Sequence, residues 1–198
     1  MSRAAQLSRR TGETDVVVGL DLDGTLAGKI ATGVGFFDHM LVLLARHGRL
    51  RLEARVSGDL ETGAHHTVED TGIVLGQALD RALGERRGIV RYGHAVVPMD
   101  EARAACAIDV SGRPFASVEG FERLPAGDIA GFEHEAAEEF FRAVTSAARL
   151  TLHLELQAGT NAHHMIEACF KAFARALRAA VALDPTEAGV PSTKGTLT

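Results

Sequence analysis

Hydrophobic and polar residues follow two rhythms along this chain, and each rhythm predicts one kind of element. Strict alternation predicts strands at "VVVGLDLD", at "RLRLEARV", at "LTLHLEL" and within the section 91–118, because successive side chains of a strand point to opposite faces. Apolar residues three or four positions apart predict four helices, at "GFFDHMLVLLARHG", "HHTVEDTGIVLGQALDRAL", "EEFFRAVTSAAR" and "HHMIEACFKAFARALRAAVAL". The section 120–131 follows neither rhythm and is predicted to be a loop.

The order of these elements is repeated along the chain. Alignment of the HHxxE motif at 65–69 with the HHxxE motif at 163–167 also brings later apolar positions into coincidence. Each half then consists of a helix, a strand, a loop and a helix that carries HHxxE. We therefore predict an α+β fold made by internal duplication, with a first half-repeat over residues 1–90 and a second over residues 91–198, packed together as one domain.

Composition limits the class of protein. The chain has 198 residues, of which 46% are hydrophobic, so it can bury a substantial core. A formal net charge of −5 with scattered basic residues excludes an electrostatic footprint for nucleic acid. Apolar stretches are too short for a signal peptide or a membrane span, and Cys106 and Cys169 have the apolar surroundings of reduced core thiols. We expect a cytoplasmic protein that contacts neither nucleic acid nor membrane.

The stretch "VVVGLDLDGTL" over residues 16–26 resembles the nucleophile motif of haloacid dehalogenase phosphatases. That family buries the strand of the motif between helical layers and needs a downstream lysine and paired acids at strand ends. The layout of this chain does not supply them, and a half-solvated antiparallel strand closed by an Asp-Gly turn accounts for the pattern. A metal-dependent phosphatase nevertheless stays the alternative function.

The two HHxxE motifs are the main chemical signal. In each motif the first histidine and the glutamate lie one turn apart on the same helix face, and imidazole with carboxylate suits manganese, iron or zinc. The second histidine points about 100° away around the helix axis, so each helix would serve two ions, or one ion from each side. The ligands exceed the needs of one closed structural zinc site. An inherited structural motif and a metal-storage assembly are the alternatives.

Two further residues extend the set of candidate ligands. His39 lies in the helix "FFDHML" of the first half, and Glu139 lies near the corresponding "FF" pair of the second half. The complete set of candidate metal ligands is His39, His65, His66, Glu69, Glu139, His163, His164 and Glu167.

Ten motifs follow one another along the chain: "TGETD", "LDGT", "GFFDHML", "HHTVEDTGIVLGQAL", "RYG", "PMDEA", "DVSGRP", "TLHL", "NAHHMIEACFKAFARALR" and "PSTKG". In this order they resemble the imidazoleglycerol-phosphate dehydratase family over essentially the whole chain. The resemblance implies one catalytic domain of two related halves, each a four-stranded sheet with helices on one face, similar to the second domain of ribosomal protein S5. It also implies two Mn²⁺ ions per active site and a closed homo-oligomer of about two dozen chains, a 24-mer, with sites between subunits.

The resemblance further implies a reaction and roles for single residues. Water would leave imidazoleglycerol phosphate in histidine biosynthesis, giving imidazoleacetol phosphate, with a metal acting as Lewis acid on the substrate's own imidazole. Glu13 would be the acid/base residue. The chain departs from the family at Glu139, where many relatives have a ligating histidine, and at Gly12, where lysine is common. The implied phosphate-binding residues are Arg91, Arg113, Lys171, Ser192 and Lys194.

Overall fold

A computed structural model describes residues 2–24 and 28–197 and shows two four-stranded sheets with helices packed between them. The strands of the first half are β1 (Ala4–Arg10), β2 (Thr14–Asp21), β3 (Ile30–Ala31) and β4 (Arg51–Gly58), and its helices are α1 (Gly35–Gly48) and α2 (His65–Leu83). The second half contains β5 (Tyr92–Met99), β6 (Ala102–Asp109), β7 (Phe115–Glu119), β8 (Asp128–Ile129), β9 (Phe132–Glu133), α3 (Ala136–Ala148), β10 (Thr151–Ala158) and α4 (Ala162–Val181).

The two sheets have the same topology. Their strand orders are β1-β2-β4-β3 and β5-β6-β10-β7, and in each sheet only the last pairing is parallel. Each sheet is covered on one face by the HHxxE helix of its own half, while α2 also packs against α3 and α4 against α1. The predicted α+β fold with two duplicated halves is confirmed.

Strand β2 settles the interpretation of "VVVGLDLDGTL". It pairs antiparallel with β1 on one side and with β4 on the other. Its inward residues Val16, Val18 and Leu20 are buried, whereas the alternate positions face partly outward. This is the predicted half-solvated antiparallel strand, not the buried strand of a haloacid dehalogenase phosphatase. The strand ends at Asp21, where a turn begins, and Thr25 and Leu26 lie outside the described residues.

The structure adds elements that the sequence pattern did not predict. Strands β1 and β3 lie at the two edges of the first sheet. The section 120–131, predicted to be a loop, holds a short 3₁₀ turn at Phe121–Arg123 and the first strand of the small hairpin β8–β9. The side chain of Asp128 accepts a hydrogen bond of 2.8 Å from the backbone N–H of Gly131 and closes that hairpin.

The ends of the helices fix the register between the two halves. Helices α1 and α3 both end at an arginine in the left-handed conformation, Arg49 and Arg149, and a strand follows directly in each half. By this register Glu139 takes the place of His39.

None of the helices within the described residues is long and apolar enough to cross a membrane. Both cysteines are buried and unpaired.

Candidate active site

Helices α1 and α4 bring three candidate ligands together, which we call triad A: His39, His163 and Glu167. The Oε2 atom of Glu167 lies 3.1 Å from Nε2 of His163 and 3.4 Å from Nε2 of His39. All three donor atoms lie within 4.8 Å of one another, the one such cluster among the described residues. Ligands held at right angles about 2.1 Å from a common ion are about 3 Å apart, so triad A fits a first-row divalent metal.

The surroundings of triad A hold its members in place. The side chain of Asn161 caps α4 by accepting hydrogen bonds from the backbone N–H groups of His163 and His164. The rings of Phe36 and His163 pack in a T-shaped arrangement, with 4.9 Å between their centroids. Nζ of Lys171 lies 2.6 Å from Oε1 of Glu167. Burial raises the pKa of Glu167, but the hydrogen bond and charge of Lys171 outweigh it, so the net pKa is below its ordinary value and the group stays a carboxylate.

The corresponding candidate ligands are His65 and Glu69 of α2 and Glu139 of α3, which we call triad B. Their donor atoms do not converge as those of triad A do, since the described residues contain no second cluster of three within 4.8 Å. Nε2 of His65 lies 3.8 Å from Oε2 of Glu69. Gly72 of α2 faces Phe140 of α3, and the next turn of α2 faces Val144, so the two helices run side by side in the same direction. The preceding turn of α2, which holds Glu69, therefore lies opposite the turn of α3 that holds Glu139. Triad B is more open than triad A, because the side chain of Glu69 is 43% exposed whereas that of Glu167 is 8% exposed.

The second histidine of the first motif points away from triad B. Nδ1 of His66 lies 3.0 Å from a carboxylate oxygen of Asp59, and its Nε2 lies 3.8 Å from Oε1 of Glu13. The hydrogen bond with Asp59 raises the pKa of His66 above its ordinary value. The side chain of Glu13 is 57% exposed and is free to reach a ligand that binds beside His66.

His164 has the same arrangement in the second half. Its Nδ1 lies 2.8 Å from Oε2 of Glu101, and its Nε2 lies 3.8 Å from Asp100. The other carboxylate oxygen of Glu101 accepts hydrogen bonds from the backbone N–H groups of Thr160 and Asn161. The bond with His164, followed by these backbone donors, lowers the pKa of Glu101 to about 2. Glu101 therefore stays charged and fixed.

Four of the five predicted phosphate-binding residues line one open cavity of about 830 Å³: Arg91, Arg113, Ser192 and Lys194. The guanidinium of Arg91 is already committed to Asp109, at 2.7 Å, and to the carbonyl oxygen of Pro191, at 2.8 Å. Arg113 and Lys194 are exposed and supply the positive charge that faces the cavity. Lys171 lies elsewhere, beside triad A, where its ammonium group contacts Glu167.

Sequence reasoning missed Asp59 and Glu101, the two carboxylates that contact the second histidines. Asp59 is seven positions before its histidine, but it lies in a turn ahead of α2. Helical spacing therefore does not relate the two residues. Glu101 is 63 positions from its histidine. A signal for Glu101 did exist, because β1–β2 and β5–β6 have the same register and place Glu101 where the first half has Glu13.

Comparison with known proteins gives one consistent result. The imidazoleglycerol-phosphate dehydratase family profile matches residues 32–177. The chain is 57% identical to imidazoleglycerol-phosphate dehydratase of Symbiobacterium thermophilum over 98% of this chain and 93% of that relative, and 55% identical to the enzyme of Azorhizobium caulinodans over 98% of each.

Solved structures agree with the sequences. The crystal structure of imidazoleglycerol-phosphate dehydratase from Staphylococcus aureus matches with a TM-score of 0.77 and 40% identity, covering 91% of this chain and 99% of that chain. The Pyrococcus furiosus enzyme, crystallised with (S)-C348, matches with a TM-score of 0.80 and 33% identity, covering 96% and 100%. A match of this extent in both sequence and fold means that the chain belongs to the imidazoleglycerol-phosphate dehydratase family.

Proposed function

We propose that this protein is a hydro-lyase that removes water from imidazoleglycerol phosphate in histidine biosynthesis, giving imidazoleacetol phosphate, with Mn²⁺ as cofactor. The observation that carries the proposal is the convergence of His39, His163 and Glu167 in a member of this family. Two buried, unpaired thiols are consistent with a reducing compartment, and we assign the enzyme to the cytoplasm.

Each active site would use two ions. Triad A would hold one ion and triad B the other, and His66 and His164, which point away from the triads of their own chain, would complete the sites of neighbouring subunits. When bound, these ions supply Lewis acidity to the imidazole ring of the substrate, which lets the ring assist the departure of hydroxide.

The positions of the charged residues support a site shared between subunits. Arg91 lies just before β5, and the anion cavity is therefore at the start of that strand. Asp100 and Glu101, which contact His164, follow the other end of the same strand. An eight-residue strand is about 25 Å long, far longer than one glycerol phosphate chain with an imidazole ring. A single substrate would thus meet the histidines of one subunit and the anion cavity of another, as in the closed 24-mer that the family resemblance implies.

The remaining steps belong to the residues of the chain. Glu13 would move the proton, because its carboxylate is exposed and lies beside Nε2 of His66. Arg113, Ser192 and Lys194 would bind the phosphate, and Arg91 would hold the segment around Pro191 that forms one wall of the cavity. Lys171 keeps Glu167 ionised, and this contact supports a role at triad A alongside its predicted role in phosphate binding.

The decisive experiment is a dehydration assay on the metal-loaded protein and on Glu13→Gln. The variant keeps the shape of the side chain but cannot exchange the proton, so we expect turnover to fall by at least about 100-fold while the affinity for substrate is retained. Glu85→Gln, which changes an exposed glutamate far from both triads in sequence, is the matched control. Near-normal turnover by Glu13→Gln would remove Glu13 from its assigned role.

The same assay tests the metal and the alternative activity. Treatment with a chelator should abolish dehydration, and Mn²⁺ should restore it; full activity in metal-free protein would refute the metal-dependent mechanism. A metal-dependent phosphatase would instead release inorganic phosphate from the substrate. A storage protein would bind Mn²⁺ with the same affinity whether or not an imidazole-bearing phosphate is present.

A further inference from the structure

We propose that Asp59 and Glu101 are positioning residues, which hold the rings of His66 and His164 so that Nε2 of each is the metal-binding atom. This inference rests on the proposed function, because it concerns how the chain presents its histidines to Mn²⁺. It assigns a task to two carboxylates that belong to neither triad.

The contact between Asp59 and His66 has the geometry of such a support. Both oxygens of Asp59 lie within hydrogen-bonding distance of Nδ1 of His66, at 3.0 and 3.2 Å. An ionised carboxylate can only accept, so Nδ1 must carry the proton, and in the neutral ring Nε2 then carries the free lone pair. The hydroxyl of Thr62 donates to Asp59 at 3.1 Å and fixes the carboxylate in turn.

Glu101 orients His164 in the same way, and it is itself held by backbone hydrogen bonds. One of its oxygens contacts Nδ1 of the ring at 2.8 Å. Its other oxygen accepts the backbone N–H of Asn161, also at 2.8 Å, at the residue that caps α4. The ring and the start of its helix are thereby tied to one carboxylate. Partners of this kind set both the tautomer and the direction of a ligating imidazole.

The two halves reach this arrangement by different routes. The shared register of the strands makes Glu101 the counterpart of Glu13. A register shift between Leu156 and Ala158 makes Gly159 the counterpart of Gly58, so Thr160 is the counterpart of Asp59. Thr160 carries no carboxylate, and its backbone N–H donates to Glu101 at 3.1 Å. In the second half the task therefore falls to Glu101. In the first half Asp59 orients His66, and Glu13 does not have this role.

This difference between the two halves explains why a duplicated chain would have one acid/base residue and not two. Duplication supplies two equivalent glutamates, Glu13 and Glu101. Glu101 is held by His164 and by two backbone donors, whereas the carboxylate of Glu13 approaches His66 only at 3.8 Å and is largely exposed. Only Glu13 keeps a carboxylate that can accept and return a proton.

The test is a titration of the full-length, metal-free protein with Mn²⁺ alone, in the absence of substrate. The variants are Asp59→Asn and Glu101→Gln, in which an amide replaces the carboxylate and can donate to Nδ1, favouring the wrong tautomer. We expect each variant to bind Mn²⁺ about 10- to 100-fold more weakly than the unaltered protein. Loading with Co²⁺ gives a visible spectrum that depends on the ligands, and this spectrum should change in both variants.

Glu133→Gln is the matched control. The carboxylate of Glu133 accepts the backbone N–H of Ala64, at 3.1 Å, and so supports the start of α2 without touching a histidine. We expect it to leave both the Mn²⁺ affinity and the Co²⁺ spectrum unchanged. If Asp59→Asn does not fold, Thr62→Val removes only the hydroxyl that orients Asp59 and should weaken Mn²⁺ binding in the same direction by a smaller factor.

The outcomes separate this inference from the proposed function. Unaltered Mn²⁺ affinity in folded Asp59→Asn and Glu101→Gln would overturn the positioning role, and so would an equal loss in Glu133→Gln, which would indicate a general effect on helix starts. Neither result touches the dehydration assay of the unaltered protein. Conversely, dehydration that survives complete removal of metal would defeat the proposed function whatever the variants bind.

Discussion

Glu139 is the residue at which the two triads differ in chemistry. It takes the place of His39 in the register of the two halves, as the matching ends of α1 and α3 show. Triad A therefore offers two imidazoles and one carboxylate, whereas triad B offers one imidazole and two carboxylates. Carboxylate oxygens favour harder ions such as Mn²⁺, and imidazole nitrogens favour Zn²⁺ and similar ions. The two sites are expected to differ in their preference for metals.

Exchanging this residue tests that difference. Glu139→His should raise the affinity of triad B for Zn²⁺ relative to Mn²⁺, by at least the roughly tenfold that changes around metal ligands commonly produce. Competition titrations of the two metals on the purified protein measure the ratio. The reciprocal variant His39→Glu should lower the same ratio at triad A. An unchanged ratio in Glu139→His would show that Glu139 does not reach the metal.

Lys194 tests the anion cavity separately from the metals. Its ammonium group is exposed at the rim of the cavity and lies in the chain segment after Pro191. Lys194→Ala should raise KM by about tenfold or more, since a hydrogen bond to a charged group contributes about 1.5–3 kcal/mol. Metal content, measured by elemental analysis, should stay the same. Unchanged kinetics would remove the C-terminal segment from the substrate site.

At this scale the sequence predicted best where a motif was repeated. The second HHxxE motif supplied two of the three residues of triad A, His163 and Glu167, and the structure brings His39 to them. Asp59 and Glu101 were not predicted, because each contacts its histidine from a turn and not from the same helix. Contacts made by the ends of strands depend on the register of the sheet, which no spacing within one element reveals.

The elements show a similar division between periodic and irregular segments. All four helices were predicted because apolar residues recur on one face of each over three turns or more. Strand β1 was missed because its sequence, "AAQLSRR", has few strand-forming residues and it lies at a sheet edge, where its inner face is only half-buried. Strand β3, with two residues, is too short to show any alternation.

The close approach of α2 and α3 depends on glycine and gives a prediction about stability. A Cβ atom at Gly76 would lie 2.6 Å from the carbonyl oxygen of Val144 and 2.7 Å from Cβ of Ala147. Because backbone atoms cannot yield as a flexible side chain does, Gly76→Ala should force the helices apart and lower the free energy of unfolding by about 1–3 kcal/mol. Denaturant titration measures the change.

Gly35→Ala is the control for this prediction. Gly35 is also helical, but it is exposed and a Cβ atom there would meet nothing within 4 Å. Alanine at that position should be neutral or stabilise the protein by about 0.5–1 kcal/mol, because glycine loses more backbone entropy on folding. If Gly76→Ala were as stable as Gly35→Ala, the helices would not be in the close contact described.

In the whole molecule the two halves are joined through their helices. Helix α2 of the first half packs on α3 of the second, and α4 of the second packs on α1 of the first, so triads A and B each depend on how helices from different parts of the chain meet. Triad A draws His39 from one half and its other two members from the other. The division at residue 90 is thus a boundary of repeats in the sequence, and we expect neither half to build a metal site by itself.

Metal removal should act on the assembly as well as on the chemistry. His66 and His164 point away from the triads of their own chain and are only partly covered, with 35% and 27% of their side chains exposed. If they complete the metal sites of neighbouring subunits, each bound ion links two chains, and its binding energy contributes to assembly. A chelator should therefore reduce the mass of the oligomer seen by sedimentation velocity and lower its Tm, and added Mn²⁺ should reverse both effects. Lys194→Ala, which leaves the triads intact, should respond to the chelator as the unaltered protein does. An oligomer of unchanged mass, shown by elemental analysis to contain no metal, would mean that contacts other than these ions hold the subunits together.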